Sequence, residues 1–282
     1  MTRRNTPRVS FIGFGEAGQA IASGLRETGI ERIAAWDILF PVAAGERLKT
    51  AGDRIGVRLA TSAADAVRDT DLIVSAVTAA SSVDAARSVA AHLAGNPYYL
   101  DINSVSPGRK QETAKLLDGR VRYVDVAVIA PIHPARHKTP LLIAGPHAEE
   151  ISPLLRELEM QLSIVGAETG QAAAIKMIRS VMIKGIEALT LECFLAASRA
   201  GVLDEVTASL KNNYPCERRA AEMEESAATL RELGLDPLMV DATVARQREM
   251  GTLGKHEKVR ATLKDGRAAM LDAISAVAKD RR

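Results

Sequence analysis

Val9-Ser10-Phe11-Ile12-Gly13-Phe14-Gly15-Glu16-Ala17-Gly18, followed by the helix-forming run 19–28, decides the fold of this 282-residue chain. An apolar, β-prone run enters Gly-x-Gly-x-x-Gly, and a helix follows at once. Gly13 permits a tight strand-to-helix turn, Gly15 lets a diphosphate approach the backbone, and Gly18 lets the helix pack close to the strand. The free N–H groups and dipole at the helix start favour an anion. A second strand ends at Trp36 and delivers Asp37, which lies about 20 residues beyond the glycines, where a carboxylate accepts hydrogen bonds from a ribose diol. The same carboxylate repels a 2′-phosphate. Gly13, Phe14, Gly15, Glu16, Ala17, Gly18 and Asp37 therefore make an expected dinucleotide site, with NAD favoured and NADP possible.

Outward from this stretch, short apolar strands are expected over 9–13, 32–36, 56–59, 72–77, 98–102, 122–128, 141–144 and 162–165. Helices are expected between them, over 17–28, 41–51, 62–67, 82–93, 108–117 and 148–158. Such alternation implies an α/β architecture with a parallel, Rossmann-type doubly wound sheet. After Gly166 the strand signals stop. Helical patterns run over 168–200, 203–210, 216–233, 237–250 and 255–278. The reading is two domains: residues 1–166 bind the dinucleotide, and residues 167–282 form an all-α domain for substrate and dimerisation. The long helix is expected to wall a cleft.

Composition narrows the function classes. The chain carries 37 Lys and Arg against 35 Asp and Glu, a net charge of +2, with both signs interspersed. It offers no basic face for nucleic acid and no polybasic membrane tail. Residues 1–8 do not read as a secretory signal, and the most apolar stretch of the long helix is interrupted by Glu192. Cys193 and Cys216 have neither metal nor redox spacing and read as ordinary thiols, so a cytoplasmic protein is expected. No His, Cys, Asp and Glu cluster has metal-ligand spacing.

Three further stretches reach the carboxyl ends of the strands or the long helix, where ligands of doubly wound sheets bind. Val77 and Thr78 end a strand and are expected to contact the cofactor. Asp101-Ile102-Asn103-Ser104-Val105-Ser106-Pro107 brings Asn103 and Ser104 to the crevice. Ser106 reads as a helix cap ahead of Pro107. In the long helix Lys176, Arg179 and Ser180 share one face among apolar neighbours. A lysine in such surroundings is poorly solvated and serves as general acid or base near neutral pH. His133 and His137, in a proline-rich loop, are weaker acid/base candidates.

These stretches resemble the β-hydroxyacid dehydrogenase family of 3-hydroxyisobutyrate and 6-phosphogluconate dehydrogenase-like enzymes, over most of the chain. Residues 11–18 resemble F-I-G-L-G-x-M-G, and residues 101–107 resemble D-x-S-T-x-x-P. Residues 125–131 resemble D-A-P-V-S-G-G without either glycine. Residues 170–180 resemble G-x-G-x-x-x-K-x-x-N-N. The resemblance implies hydride transfer between a nicotinamide and a small anionic hydroxy acid or its oxo form, with Lys176 as general acid/base and Asn103 and Ser104 on the substrate. It also implies a homodimer. Arg179-Ser180 stands where the family has Asn-Asn, and both residues are expected near the substrate. Glu222 takes the approximate place of an acid on a C-terminal helix, and the C-terminal half resembles a subgroup of uncertain substrate. The rival readings are an imine reductase-like enzyme, in which the lysine is replaced by Asp or Tyr, and a non-catalytic dinucleotide-binding regulatory protein.

Trp36, the only tryptophan, precedes Asp37 and reports on this site. NADH is expected to quench its fluorescence and to receive energy transfer from it at lower concentration than NADPH does. The opposite order would remove Asp37 as the selector.

Overall fold

The computed structural model describes residues 6–210, 227–232, 234–265, 269, 272–274, 276 and 277. The chain divides into two compact units, Met1–Val181 and Met182–Arg282. The boundary falls inside the longest helix.

The first unit holds β1 (Val9–Ile12), α1 (Glu16–Glu27), β2 (Ile33–Trp36), α2 (Glu46–Ile55), β3 (Arg58–Leu59), α3 (Ala63–Ala66), β4 (Leu72–Ser75) and α4 (Ser82–Ala90). It continues with β5 (Tyr98–Asp101), α5 (Pro107–Leu116), β6 (Arg122–Val128), β7 (Leu141–Ala144), α6 (Ala148–Glu157), β8 (Leu162–Gly166) and the first turns of α7 (Gln171–Ala200). All eight expected strands form one sheet in the order β3-β2-β1-β4-β5-β6-β7-β8. The chain runs outward from β1 to β3, then returns to lay β4 on the other side of β1. A crevice opens at that switch point, above the strand ends.

The strands read as unbroken apolar runs because helices cover both faces. Val9, Phe11, Val74, Leu100 and Val124 point into one core with Ile21 and Leu25 of α1 and Ile151 and Leu155 of α6. Their neighbours Ile12, Ile73, Tyr99 and Tyr123 point into the other, with Ala86 and Val89 of α4 and with Leu117. Full burial of each large side chain stabilises by roughly 1.5–3 kcal/mol.

The expected all-parallel sheet needs one correction: β7 runs antiparallel to β6. Between them lies only a loop with the 3₁₀ turn Arg136–Lys138. A parallel return usually carries a helix back across the sheet face, and residues 129–140 form only that 3₁₀ turn, so the chain folds straight back. The second helix also differs, beginning at Glu46 rather than residue 41, after a 3₁₀ turn over Ala43–Gly45. It ends at Gly56, which adopts φ +77.

The second unit is helical where described. It contains the rest of α7, α8 (Leu203–Leu210), α9 (Leu238–Gly254) and α10 (Glu257–Ala261). Ala196, Ala227, Leu230 and Val240 form one small core, and Leu253, Val259 and Val277 another. Glu192, the acid that interrupts α7, accepts the N–H groups of Met239 (3.0 Å) and Val240 (3.2 Å) at the start of α9. A carboxylate there satisfies orphan donors and opposes the helix dipole. No helix among the described residues is long and apolar enough to cross a membrane.

His137 of the β6–β7 loop is buried against α1. A Cβ built on Gly24 would stand 1.9 Å from its Nδ1. Gly24→Ala is expected to lower the urea midpoint, by about 1–3 kcal/mol of overpacking that outweighs the roughly 1 kcal/mol gain in helix propensity. An unchanged midpoint would show that the loop yields freely.

Candidate active site

The glycine loop joins β1 to α1 at the switch point. Gly13 adopts φ +90, and a Cβ there would fall 2.3 Å from the carbonyl oxygen of Ala76, so only glycine permits β1 and the end of β4 to approach this closely. Gly18 is held close to the turn, 2.7 Å from its Cβ position to the carbonyl oxygen of Gly13. Among the described residues nothing lies within 4 Å of the Gly15 Cβ position, and Gly15 offers no side-chain cap to α1. The helix N–H groups are thus left facing space that an anionic diphosphate fits.

Phe14 does not face that space. Its ring is fully buried and packs edge-on against Phe11 and Phe40. Asp37 clasps the loop, its Oδ2 accepting the Phe14 N–H at 2.8 Å and its Oδ1 the Leu39 N–H at 2.9 Å. Two of the four lone-pair sites remain, enough for a ribose diol. Glu16 is exposed in the first turn of α1.

Beside the loop lies a cavity of 320 Å³. Ala17, Val77, Ala79, Ile102, Val128, Ala130 and Ile132 give it apolar walls, and Thr78, Asn103, Ser104 and Lys176 supply its polar side chains. Lys176 donates from Nζ to Ser104 Oγ at 2.6 Å. The structure therefore brings together the lysine and the serine that lie 72 residues apart in sequence. It does the same for Ala17, Val77 and Thr78. The Thr78 and Ser81 hydroxyls lie 3.1 Å apart.

The other expected residues are placed differently. Asn103 lines the cavity but is buried, and its amide also ties the scaffold: Oδ1 accepts the Val77 N–H at 2.7 Å and Nδ2 donates to Ser75 Oγ at 2.9 Å. Ser180 Oγ donates back to the Lys176 carbonyl at 2.8 Å. Arg179 is exposed and does not line the cavity. Ser106 caps α5 with Pro107 in the first turn, as expected. His133 lines a groove between α1 and α2 instead of the cavity. The two ring nitrogens of buried His137 have no hydrogen-bond partner among the described residues, and burial pushes its pKa down. Glu222 lies outside the described residues.

Beneath the cavity is a polar cluster that the sequence reading did not isolate. Asp101 and Asp125 are register neighbours on β5 and β6 and are fully buried. Lys110 of α5, 1% exposed, reaches both carboxylates: Nζ lies 3.1 Å from Asp101 Oδ1 and 3.5 Å from Asp125 Oδ1. It also donates to the carbonyls of Asp101 and of Val126, the latter at 3.2 Å. Tyr123 donates its hydroxyl to Asp101 Oδ2 at 2.7 Å. Burial, then the Asp101 charge, holds the Tyr123 pKa well above its usual value, so it remains a donor. The available signal was an acid within each of two apolar strands, which requires a buried counter-charge. Among the described residues no group of three His, Cys, Asp or Glu side chains is placed to hold a metal ion.

Residues 8–103 match the family described as NADP oxidoreductase, coenzyme F420-dependent, and residues 216–250 match a domain of unknown function, DUF1932. A conserved hypothetical protein from Sinorhizobium meliloti 1021 is 33% identical, covers 96% of each chain and superposes with a TM-score of 0.61. A conserved protein of unknown function, whose structure reveals similarity with 3-hydroxyacid dehydrogenases, is 29% identical over 86% of this chain and 96% of its own, with a TM-score of 0.61. An imine reductase from Myxococcus stipitatus in complex with NADP⁺ shares the fold at 24% identity, over 88% of this chain and 95% of its own, with a TM-score of 0.71.

Proposed function

The chain belongs to the β-hydroxyacid dehydrogenase family, and from that premise we propose that it is an NAD-preferring oxidoreductase of a small hydroxy acid or its oxo form. The observation that carries this reading is the 2.6 Å contact between Lys176 Nζ and Ser104 Oγ on the wall of a 320 Å³ cavity beside the glycine loop.

The residues fit a nicotinamide dinucleotide. The open face at Gly15 and the start of α1 would take the diphosphate, and Asp37 would take the adenosine ribose. Ala17, Val77 and Thr78 would border its reactive end. The bound nicotinamide would supply the hydride acceptor or donor. The chain's own task is then the proton. Lys176 in its neutral form would take the proton of the substrate hydroxyl, and as ammonium it would return that proton to a carbonyl oxygen. Ser104 would orient the lysine and hydrogen-bond the substrate. Asn103 would act indirectly, by fixing Val77 and Ser75. The apolar walls would favour a small organic acid over a sugar phosphate.

Lys176→Ala is expected to lower hydroxy-acid turnover about 10²–10⁴-fold while the Trp36 response to NADH persists. Wild-type turnover in the variant would overturn the role of Lys176. A wild-type enzyme that reduced cyclic imines but no oxo acid would overturn the substrate class. Absence of any turnover alongside tight NADH binding would favour the regulatory reading.

The working unit we propose is a homodimer. α7 leaves Ile178, Val181, Met182 and Ile186 exposed, and apolar side chains at this density are normally covered by a partner. Sedimentation equilibrium is expected to give about twice the 30.1 kDa chain mass. A fully active, monodisperse monomer would refute the dimer.

A further inference from the structure

Two separate supports hold the Lys176–Ser104 pair. Ser104 follows the end of β5, and Lys176 lies about one turn beyond Ala173 at the start of α7. One side chain touches both supports. We propose that Lys110 is a positioning residue that sets the separation of Ser104 and Lys176; this rests on reading that pair as the proton-transfer machinery.

On one side, Lys110 Nζ holds Asp101 through its carbonyl and through Oδ1 at 3.1 Å. The same Oδ1 accepts the Asn103 N–H at 3.0 Å, which fixes the backbone just before Ser104. On the other side, Asp125 Oδ2 accepts the N–H groups of Gly170 at 3.0 Å and Ala173 at 3.1 Å. Asp125 thus caps α7 from within the sheet and opposes its dipole. Asp125 Oδ1 has no hydrogen bond of its own among the described residues. What holds that oxygen is the ionic attraction of Lys110, 3.5 Å away. The orientation of the α7 cap therefore depends on a cation shared with the Ser104 support.

The chemistry requires an ammonium. Its three donors meet the Asp101 carbonyl, Asp101 Oδ1 and the Val126 carbonyl while its charge serves Asp125. A planar guanidinium fork cannot occupy the same point in a fully buried site. Without the charge, two adjacent buried carboxylates repel and must separate or take up protons.

Hydrogen–deuterium exchange on the full chain tests this, comparing Lys110→Met and Lys110→Arg with the wild type. Both variants are expected to exchange the amides of residues 168–175 about ten-fold faster or more, with β1 still protected and the Trp36 response to NADH unchanged. With an acid that the wild type turns over, kcat is expected to fall about 30–100-fold at unchanged KM for the dinucleotide. Wild-type exchange at 168–175 in a folded variant would overturn the proposal. So would an equal loss of protection in β1 and 168–175, which marks a general loss of stability. Should Lys110→Met fail to fold, Lys110→Arg decides alone. A wild type that turns over no hydroxy acid would end the functional reading, while the exchange result still decides whether Lys110 sets the cap.

Discussion

The Lys110 ammonium between the carboxylates of Asp101 and Asp125 is the interaction on which the rest of the structure depends. All three groups are buried. Removing charges from water is costly, and the mutual attraction of buried ions offsets that cost only when the geometry is good and the remaining hydrogen bonds are made. Tyr123, the Asn103 N–H, the Val126 carbonyl and the start of α7 make them. An apolar core of the same volume would hold the sheet as well, but it would not specify where α7 begins. Directional bonds to particular donors do specify it.

Above this cluster the site is built in layers. Asn103 ties the end of β5 to the end of β4, through Ser75 and the backbone of Val77. Asp37 ties the end of β2 to the glycine loop on β1. Each tie spends a polar side chain on backbone that faces the crevice and leaves the cavity itself with few polar groups. The Lys176–Ser104 pair is then set against mostly aliphatic walls.

Much of this was legible from local pattern. The glycine spacing, the acid after β2 and the alternation of strand and helix gave the eight strands and the doubly wound class, because each depends on residues close in sequence. The antiparallel β7 was not legible as a direction, since a strand reads the same in either sense. Its sense followed from a connection that forms no crossover helix. Glu192 looked like a flaw in an apolar helix, and its meaning came from the N–H groups of Met239 and Val240, 47 and 48 residues away. Asn103 carried the right chemistry for a ligand, and only the structure shows that its amide also ties β5 to β4.

The sequence by itself determined the fold class, the glycine turn and the identity of the chemical groups available to the cavity, because these follow from backbone freedom, side-chain period and residue type. Only the tertiary structure decided which of those groups meet. Lys176 and Ser104 are joined across 72 positions, and Gly170 and Asp125 across 45. Contacts at such separations arise from strand order and helix register, which no local stretch encodes.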